Sequence, residues 1–334
     1  MSDSALVRPT PAARAAPERE AGRGFWFRDL RISQGRVKVF DTGADLKFDK
    51  VLIGEALNWF GYHLVVRVRS WWMLATRRRA PAIWFAPVRP RPWYIVWSAA
   101  AWAGVRIARS PETADATFAF EDATWSFPGA PGLAPAFNFG CTDVSKTHVA
   151  TVFEAVFGYP LALDPETWSG PAVEKGEMNG AHDGKVVQCP TPRLPGRSYQ
   201  RLIDTRDGDF AYDLRTPCVG GRPVAVWIKR KTPERAFAIQ NLEVTLHQPQ
   251  DIFSDAELAG IGRFCSAMQV DWAGLDILRE RGTGRLYIVD VNKTDVGPII
   301  ALSLRDKLRS TRLMSQALEA LLADGKERPL AAGR

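Results

Sequence analysis

The 334-residue chain has only four cysteines, Cys141, Cys189, Cys218 and Cys265, and no C-x-x-C pair. Such spacing supports neither a zinc site nor a disulfide framework, and reduced thiols in a cytoplasmic protein are the simplest reading. The chain lacks a signal-peptide h-region, and Asp3, Glu18 and Glu20 argue against an organellar transit peptide. Residues 93–105 are apolar, but they make up about two-thirds of the roughly 20 residues that a spanning helix needs. They end against Arg106 and Arg109 and read as a buried or interfacial helix. No internal repeat is present. Acidic side chains are missing from residues 56–111, a stretch that holds nine arginines.

Against these absences stands an ordinary globular composition, 46% hydrophobic and 24% charged, with room for two or three packed units. The net charge of +7 is uneven: residues 1–140 carry 19 Lys/Arg against 12 Asp/Glu, and residues 141–334 carry 25 of each. Residues 1–24 are rich in Ala, Arg and Pro and have no apolar run, which reads as a disordered basic arm. Residues 25–140 are rich in Trp and Arg and suit a small α/β domain, with strand-like pieces at 104–108 and 116–120. Prolines and glycines at 127–135 mark a boundary. A second domain is then expected over 141–323, with a flexible tail at 324–334.

Within that second domain, Val149, Val152, Phe153 and Val156 carry the spacing of a one-faced helix over 143–157, stopped by Gly158 and Pro160. Ser254 and Glu257 form a capping box ahead of Leu258, Ile261, Phe264 and Met268. A last helix is expected over 304–323. Strand candidates lie at 172–175, 185–188, 198–203, 212–219, 223–229 and 242–246.

The most informative stretch is 270–298, in which two apolar runs flank Glu280-Arg281-Gly282-Thr283-Gly284 and read as a β-hairpin. Centring the turn near Thr283 places Asp276 opposite Asp290, and the period of two puts Asp290 and Asn292 on one face, with Val289 and Val291 on the other. Opposed residues have Cβ atoms about 4.5–5.5 Å apart, so two ionised aspartates there repel unless a cation lies between them. Magnesium, which accepts one or two carboxylates and fills its remaining positions from phosphates and water, is the natural occupant. A hairpin whose polar face simply meets water is the plainer alternative.

Other residues suit anionic oxygens. Lys146 opens the first helix, and Lys175 ends a strand ahead of a loop holding Gly176, Gly180, His182 and Gly184. A lysine offers a mobile point charge, and glycines let backbone N–H groups approach closely. The strand from Tyr199 to Ile203, the arginine Arg215 and the basic run Lys229-Arg230-Lys231 follow.

In this order of parts, residues 143–298 resemble the ATP-grasp superfamily, which includes D-alanine–D-alanine ligase, glutathione synthetase and the ribosomal-protein glutamate ligases. Ser145-Lys146 matches the family's opening dipeptide, Lys175 its second lysine, and Gly180 to Gly184 its mobile loop, in which His182-Asp183 departs from the family's further glycines and His182 is read separately as a phosphate contact. Gln200, Leu202 and Ile203 match the adenine-cupping linker, and Arg215 and Arg230 the basic catalytic positions. Asp276, Asp290 and Asn292 match the metal ligands.

The resemblance implies an α+β fold in which two α+β subdomains clasp ATP behind a small α/β N-terminal domain. It also implies ATP and Mg2+ (or Mn2+) as cofactors, and a reaction in which a substrate carboxylate becomes an acylphosphate and is attacked by an amine. Asp290 stands where the family usually has glutamate, and Lys293-Thr294-Asp295 after Asn292 departs from its pattern. Two other readings stay open. One is a nucleotide-binding protein without catalysis; the other is a basic Trp/Arg-rich module that binds nucleic acid or an anionic membrane surface through residues 59–109. A homodimer is the default oligomeric expectation.

Overall fold

The computed structural model describes residues 30–39, 44–129, 135–181, 183–232 and 242–327. The basic arm and His182 therefore lie outside the described residues. The chain opens with an antiparallel meander, β1 (Leu30–Ser33), β2 (Arg36–Val39) and β3 (Ala44–Lys47), and the 27-residue helix α1 (Lys50–Thr76), whose first turn is capped by Asp49. Strand β4 (Ala82–Pro87), helix α2 (Ile95–Trp102) and strands β5 (Arg106–Ile107), β6 (Ala116–Phe120) and β7 (Ala136–Phe137) follow, forming a parallel sheet ordered β5-β4-β6-β7. Every residue of β6 is buried, as a parallel strand covered on both faces requires.

Helix α3 (Lys146–Phe157) begins where the Ser145 Oγ accepts from the His148 N–H at 3.3 Å. It ends at Gly158, whose φ of 77° is the left-handed conformation that glycine adopts without strain. Next come β8 (Gly170–Gly176), β9 (Lys185–Cys189) and β10 (Arg197–Arg201), an antiparallel sheet ordered β10-β8-β9.

The remaining elements are β11 (Arg206–Asp207), β12 (Phe210–Val219), β13 (Arg222–Pro223), β14 (Val226–Lys231), β15 (Glu243–His247), α4 (Pro249–Ile252), α5 (Asp255–Ala267), β16 (Trp272–Arg279), β17 (Leu286–Asn292) and α6 (Leu304–Glu327). Their strands form a large antiparallel sheet along β15-β14-β12-β16-β17, with β11 and β13 paired to β12. The segment read as one strand over 223–229 is broken. Pro223 has no N–H to give, and the Val224 N–H turns to the Pro217 carbonyl at 2.9 Å before β14 begins. The capping box at Ser254 and Glu257 is present.

The large sheet is covered on both faces at one end. On one face Leu275, Ile277, Ile288 and Val291 pack with Val149 and Phe153 of α3 and with Ile261 and Phe264 of α5. On the other, Trp227 and Trp272, both essentially inaccessible, meet Phe118, Ile95 and the α6 residues Met314 and Leu318. Truncating either tryptophan to alanine is worth about 3–5 kcal/mol of stability. Further along this second face the helices and the parallel sheet give out, and the strands expose a polar surface.

The helix over 50–76 has no counterpart in the sequence reading, because apolar residues surround it and blur the helical period. Helix α6 runs past the expected 323 to Glu327. Gly325, which looks like a stop signal, is there for contact: a Cβ would lie 2.8 Å from Phe137 Cζ and 3.1 Å from Pro135 Cβ. The described residues contain no helix long and apolar enough to cross a membrane.

Candidate functional site

The polar end of the large sheet is built around the β16–β17 hairpin. Asn138 anchors its start by accepting from the Asp271 and Trp272 N–H groups at 2.8 and 2.9 Å and donating to the Trp272 carbonyl. At the far side the Lys293 ammonium donates to Ser126 Oγ and to the Cys141 carbonyl. Asp276 stands opposite Asp290, as expected. The turn itself centres half a residue earlier, pairing Leu278 with Tyr287 and Ile277 with Ile288, and a β-bulge at Val289 makes up the difference. The bulged Val289 carbonyl accepts from Lys175 Nζ at 3.2 Å.

Both carboxylates already hold protein cations. Asp290 pairs with Lys146, the first residue of α3, whose Nζ also lies 3.5 Å from Asn179 Oδ1. Asp276 pairs with Arg215 on β12 at 2.9 Å and with Lys229 on β14 at 3.3 Å. Burial pushes the Asp276 carboxyl up, but Arg215 and Lys229 outweigh it and hold the group well below the usual carboxylate range.

Arg215 reaches a second acid, Asp295, through Nη2 at 2.6 Å and Nε at 3.2 Å. Asp295 is fully buried, and burial raises its carboxyl against the pull of Arg215. The guanidinium is thus fixed between two carboxylates. Gly274 leaves the room for this arrangement, since a Cβ there would lie 2.3 Å from Asp295 Oδ2 and 2.8 Å from Arg215 Nε.

Facing the hairpin are the end of β8 and the loop after it. Burial pulls the half-buried Lys175 ammonium down to about 8, opposed by Asp290 and reinforced by Lys146. The Glu177 carboxylate accepts from the Thr147 N–H at 3.0 Å and from the Thr147 hydroxyl, tying the loop to the positive end of α3. The Asn179 N–H donates to Thr124 Oγ1 at 2.7 Å. Asp183 accepts from the Gly176 N–H and pairs with Arg197, so that glycine's N–H is already engaged. Gly180 has a φ of 71° and open space around it.

The structure therefore brings Lys146, Lys175, Arg215, Asp276, Asp290 and Asn292 into one cleft between the β8 loop and the large sheet. Gln200 borders it, with Nε2 3.4 Å from the Lys146 carbonyl. Leu202 is exposed beyond the end of β10, and Ile203 packs in the core with α3 and α5.

Arg230 lies off the cleft, paired with Glu243 at 3.0 Å and stacked over Phe210, and the basic residue on the cleft face is Lys229. The cause is register. The Gly220-Gly221 turn pairs Val219 with Arg222 and Cys218 with Pro223, and carried on unchanged this would put Val226 opposite Arg215 and Arg230 on the Arg215 face. A one-residue slip instead sets Trp227 opposite Arg215, which turns Arg230 away and Lys229 in. Asp295, Glu177, Asn179 and Gly274 were also missed. Of these only Asp295 had a signal, as an acid just beyond the Asp-x-Asn pair.

Among the described residues no group of three His, Cys, Asp or Glu side chains is placed to hold a metal. The donor set is two half-exposed carboxylates, Asp276 and Asp290, and the Asn292 amide oxygen, which accepts from the Thr294 N–H at 3.0 Å. Two carboxylates and an amide suit an ion that takes its other ligands from phosphate and water.

No protein-family model matches the sequence, and a comparison with curated proteins finds no relative. Solved structures do match. The ATP-grasp ligase PsnB complexed with a minimal precursor has a TM-score of 0.48 at 11% identity, covering 73% of this chain and 99% of that one. For D-alanine–D-alanine ligase from Bacillus anthracis the values are 0.47, 11%, 75% and 99%. For the RimK domain ATP-grasp protein from Sphaerobacter thermophilus they are 0.44, 13%, 71% and 99%. These solved structures are what the chain is similar to, each at 11–13% identity over 71–75% of its length.

Proposed function

We propose that the chain is an ATP- and magnesium-dependent ligase of the ATP-grasp kind, which activates a carboxylate on a small molecule or peptide for attack by an amine. The observation that carries this reading is the cleft itself, where Lys146 of α3 and Lys175 of β8 meet the opposed Asp276–Asp290 pair and Asn292 of the hairpin. Asp276, Asp290 and Asn292 would hold magnesium. That ion would neutralise phosphate charge and polarise the transferred group.

Charge balance supports the reading. In the free protein the acids are neutralised by Lys146, Arg215 and Lys229. A metal nucleotide brings a cation for the carboxylates and an anion for the lysines, so each charged group of the cleft can exchange its protein partner for one of the same sign. Phosphoryl transfer asks mainly for positioning and charge stabilisation. Lys146 and Lys175 would bind phosphates. Arg215, fixed by Asp295, would offset charge developing on the transferred group, with Lys229 beside it. Gln200 would border the base, and no side-chain nucleophile is required.

Thermal unfolding with and without magnesium-ATP tests this on the parent, Lys175→Met and Asp290→Ala. Ligand at about 100 times its dissociation constant adds roughly 2.7 kcal/mol to the folded state. A stabilised parent and unresponsive variants are expected, followed by ADP release with the right acid and amine. A parent that ignores millimolar ATP, or variants that respond as the parent does, would remove the site from this cleft.

A further inference from the structure

Helix α1 is apolar on two sides. Its inner face, with Tyr62, His63 and Val66 buried, packs on α2 and α6, and the Tyr62 hydroxyl meets Thr311 Oγ1 at 2.6 Å. Its outer face leaves Ile53, Leu57, Phe60, Leu64, Val68 and Trp71 between 44% and 74% exposed. Successive members of that row are four, three, four, four and three residues apart, so the row keeps the helix's own period of about 3.6. A strict coiled-coil seam repeats every 3.5 residues and winds round a partner helix; a row at the straight-helix period presents one side to a flat surface. Trp72 is also exposed and widens the row at its C-terminal end.

The borders of the row are cationic. Arg67 lies along one edge with its guanidinium 4.7 Å above the Trp97 ring, and Arg69 along the other, 4.7 Å above Trp102. The helix runs out into Arg77, Arg78 and Arg79, of which Arg77 pairs with Glu319 and Arg79 with Asp115, each at 2.7 Å, and residues 56–111 contain no acid. Exposed apolar area of this extent marks an interaction surface. The surrounding charge selects its partner. A second copy would bring the same arginines against themselves, whereas an anionic plane with an apolar interior matches both the row and its borders. The described residues hold no helix able to span a bilayer, so the geometry is that of a helix lying in the interface.

We propose that the outer face of α1 docks on an anionic lipid surface, with the row from Ile53 to Trp71 in the acyl boundary and the flanking arginines among the head groups. The full-length protein is co-sedimented with phosphatidylcholine vesicles and with vesicles that also contain phosphatidylglycerol, alongside sedimentation velocity without lipid. The parent binds only the anionic vesicles, and about 0.5 M salt weakens the interaction because head-group attraction is screened.

The double variant Leu64→Gln, Trp71→Gln changes two exposed positions and leaves the cooperative unfolding transition in place. It should bind at least about tenfold more weakly through lost apolar insertion, and Arg78→Glu roughly tenfold more weakly through charge. Three results overturn the proposal: a parent that sediments with neither vesicle, anionic binding unchanged in the double variant, and a parent dimer that the double variant splits without any vesicle binding. The last would assign the face to a second copy.

Discussion

Lowering the pH from 7 to 5 should cost the protein about 2 kcal/mol of stability through one residue, His63. The imidazole is buried on the inner face of α1 between Trp59 and Trp97, and among the described residues neither ring nitrogen has a hydrogen-bond partner. Burial, with the nearby Arg67 charge, pulls it down to about 3 from an ordinary 6.5. The sign follows. Below 6.5 the unfolded chain takes up a proton that the folded chain refuses, so stability falls as pH drops through that window. At pH 5 the folded group is still neutral, so the loss is set by the unfolded value. Urea denaturation of the parent and of His63→Leu at pH 7 and 5 isolates the effect. The leucine variant should be as stable as the parent, or more so, at pH 7, since no hydrogen bond is lost, and should lack the extra loss at pH 5. Equal losses in both proteins would refute the reasoning.

Gly274→Ala should lower stability by about 3 kcal/mol, because its Cβ must displace one partner of the buried Arg215–Asp295 pair. A loss under about 1 kcal/mol in urea denaturation would mean that the pair relaxes freely. Lys229→Met should weaken the stabilisation by magnesium-ATP while Arg230→Met leaves it intact, because only Lys229 faces the cleft; the reverse order would contradict the observed register. All four cysteines are buried, and burial pushes the Cys141 thiol up to about 11. A thiol reagent should therefore label none in the folded protein and all four after denaturation.

The β16–β17 hairpin was legible because a turn-rich segment sits between two runs of period two, and the Asp276–Asp290 pairing follows from counting. The α5 start was legible because capping by Ser254 and Glu257 is local chemistry, whereas the helix expected from 143 starts at Lys146, where Ser145 caps it. Helix α1 was not, since its period shows only when one face is polar. Arg230 and Lys229 are indistinguishable in sequence because the slip between β13 and β14 lies where Pro223 interrupts the ladder, and adjacent basic residues look alike until register is known. Asp295 belongs to the site through Gly274, a contact between positions that no local pattern links.

The bulge at Val289 means that the charge of the cleft is written in residue count as much as in residue type. With the pairing set near the turn continued unbroken, Val289 would stand opposite Asp276 and Asp290 opposite Leu275, which points into the α3–α5 core. One extra residue carries the acid across the sheet, and one slipped residue on β14 carries Lys229 in and Arg230 out. Straightening either irregularity with every residue kept would exchange an acid for an apolar side chain, or one cation for its neighbour, without altering any side chain that the site uses.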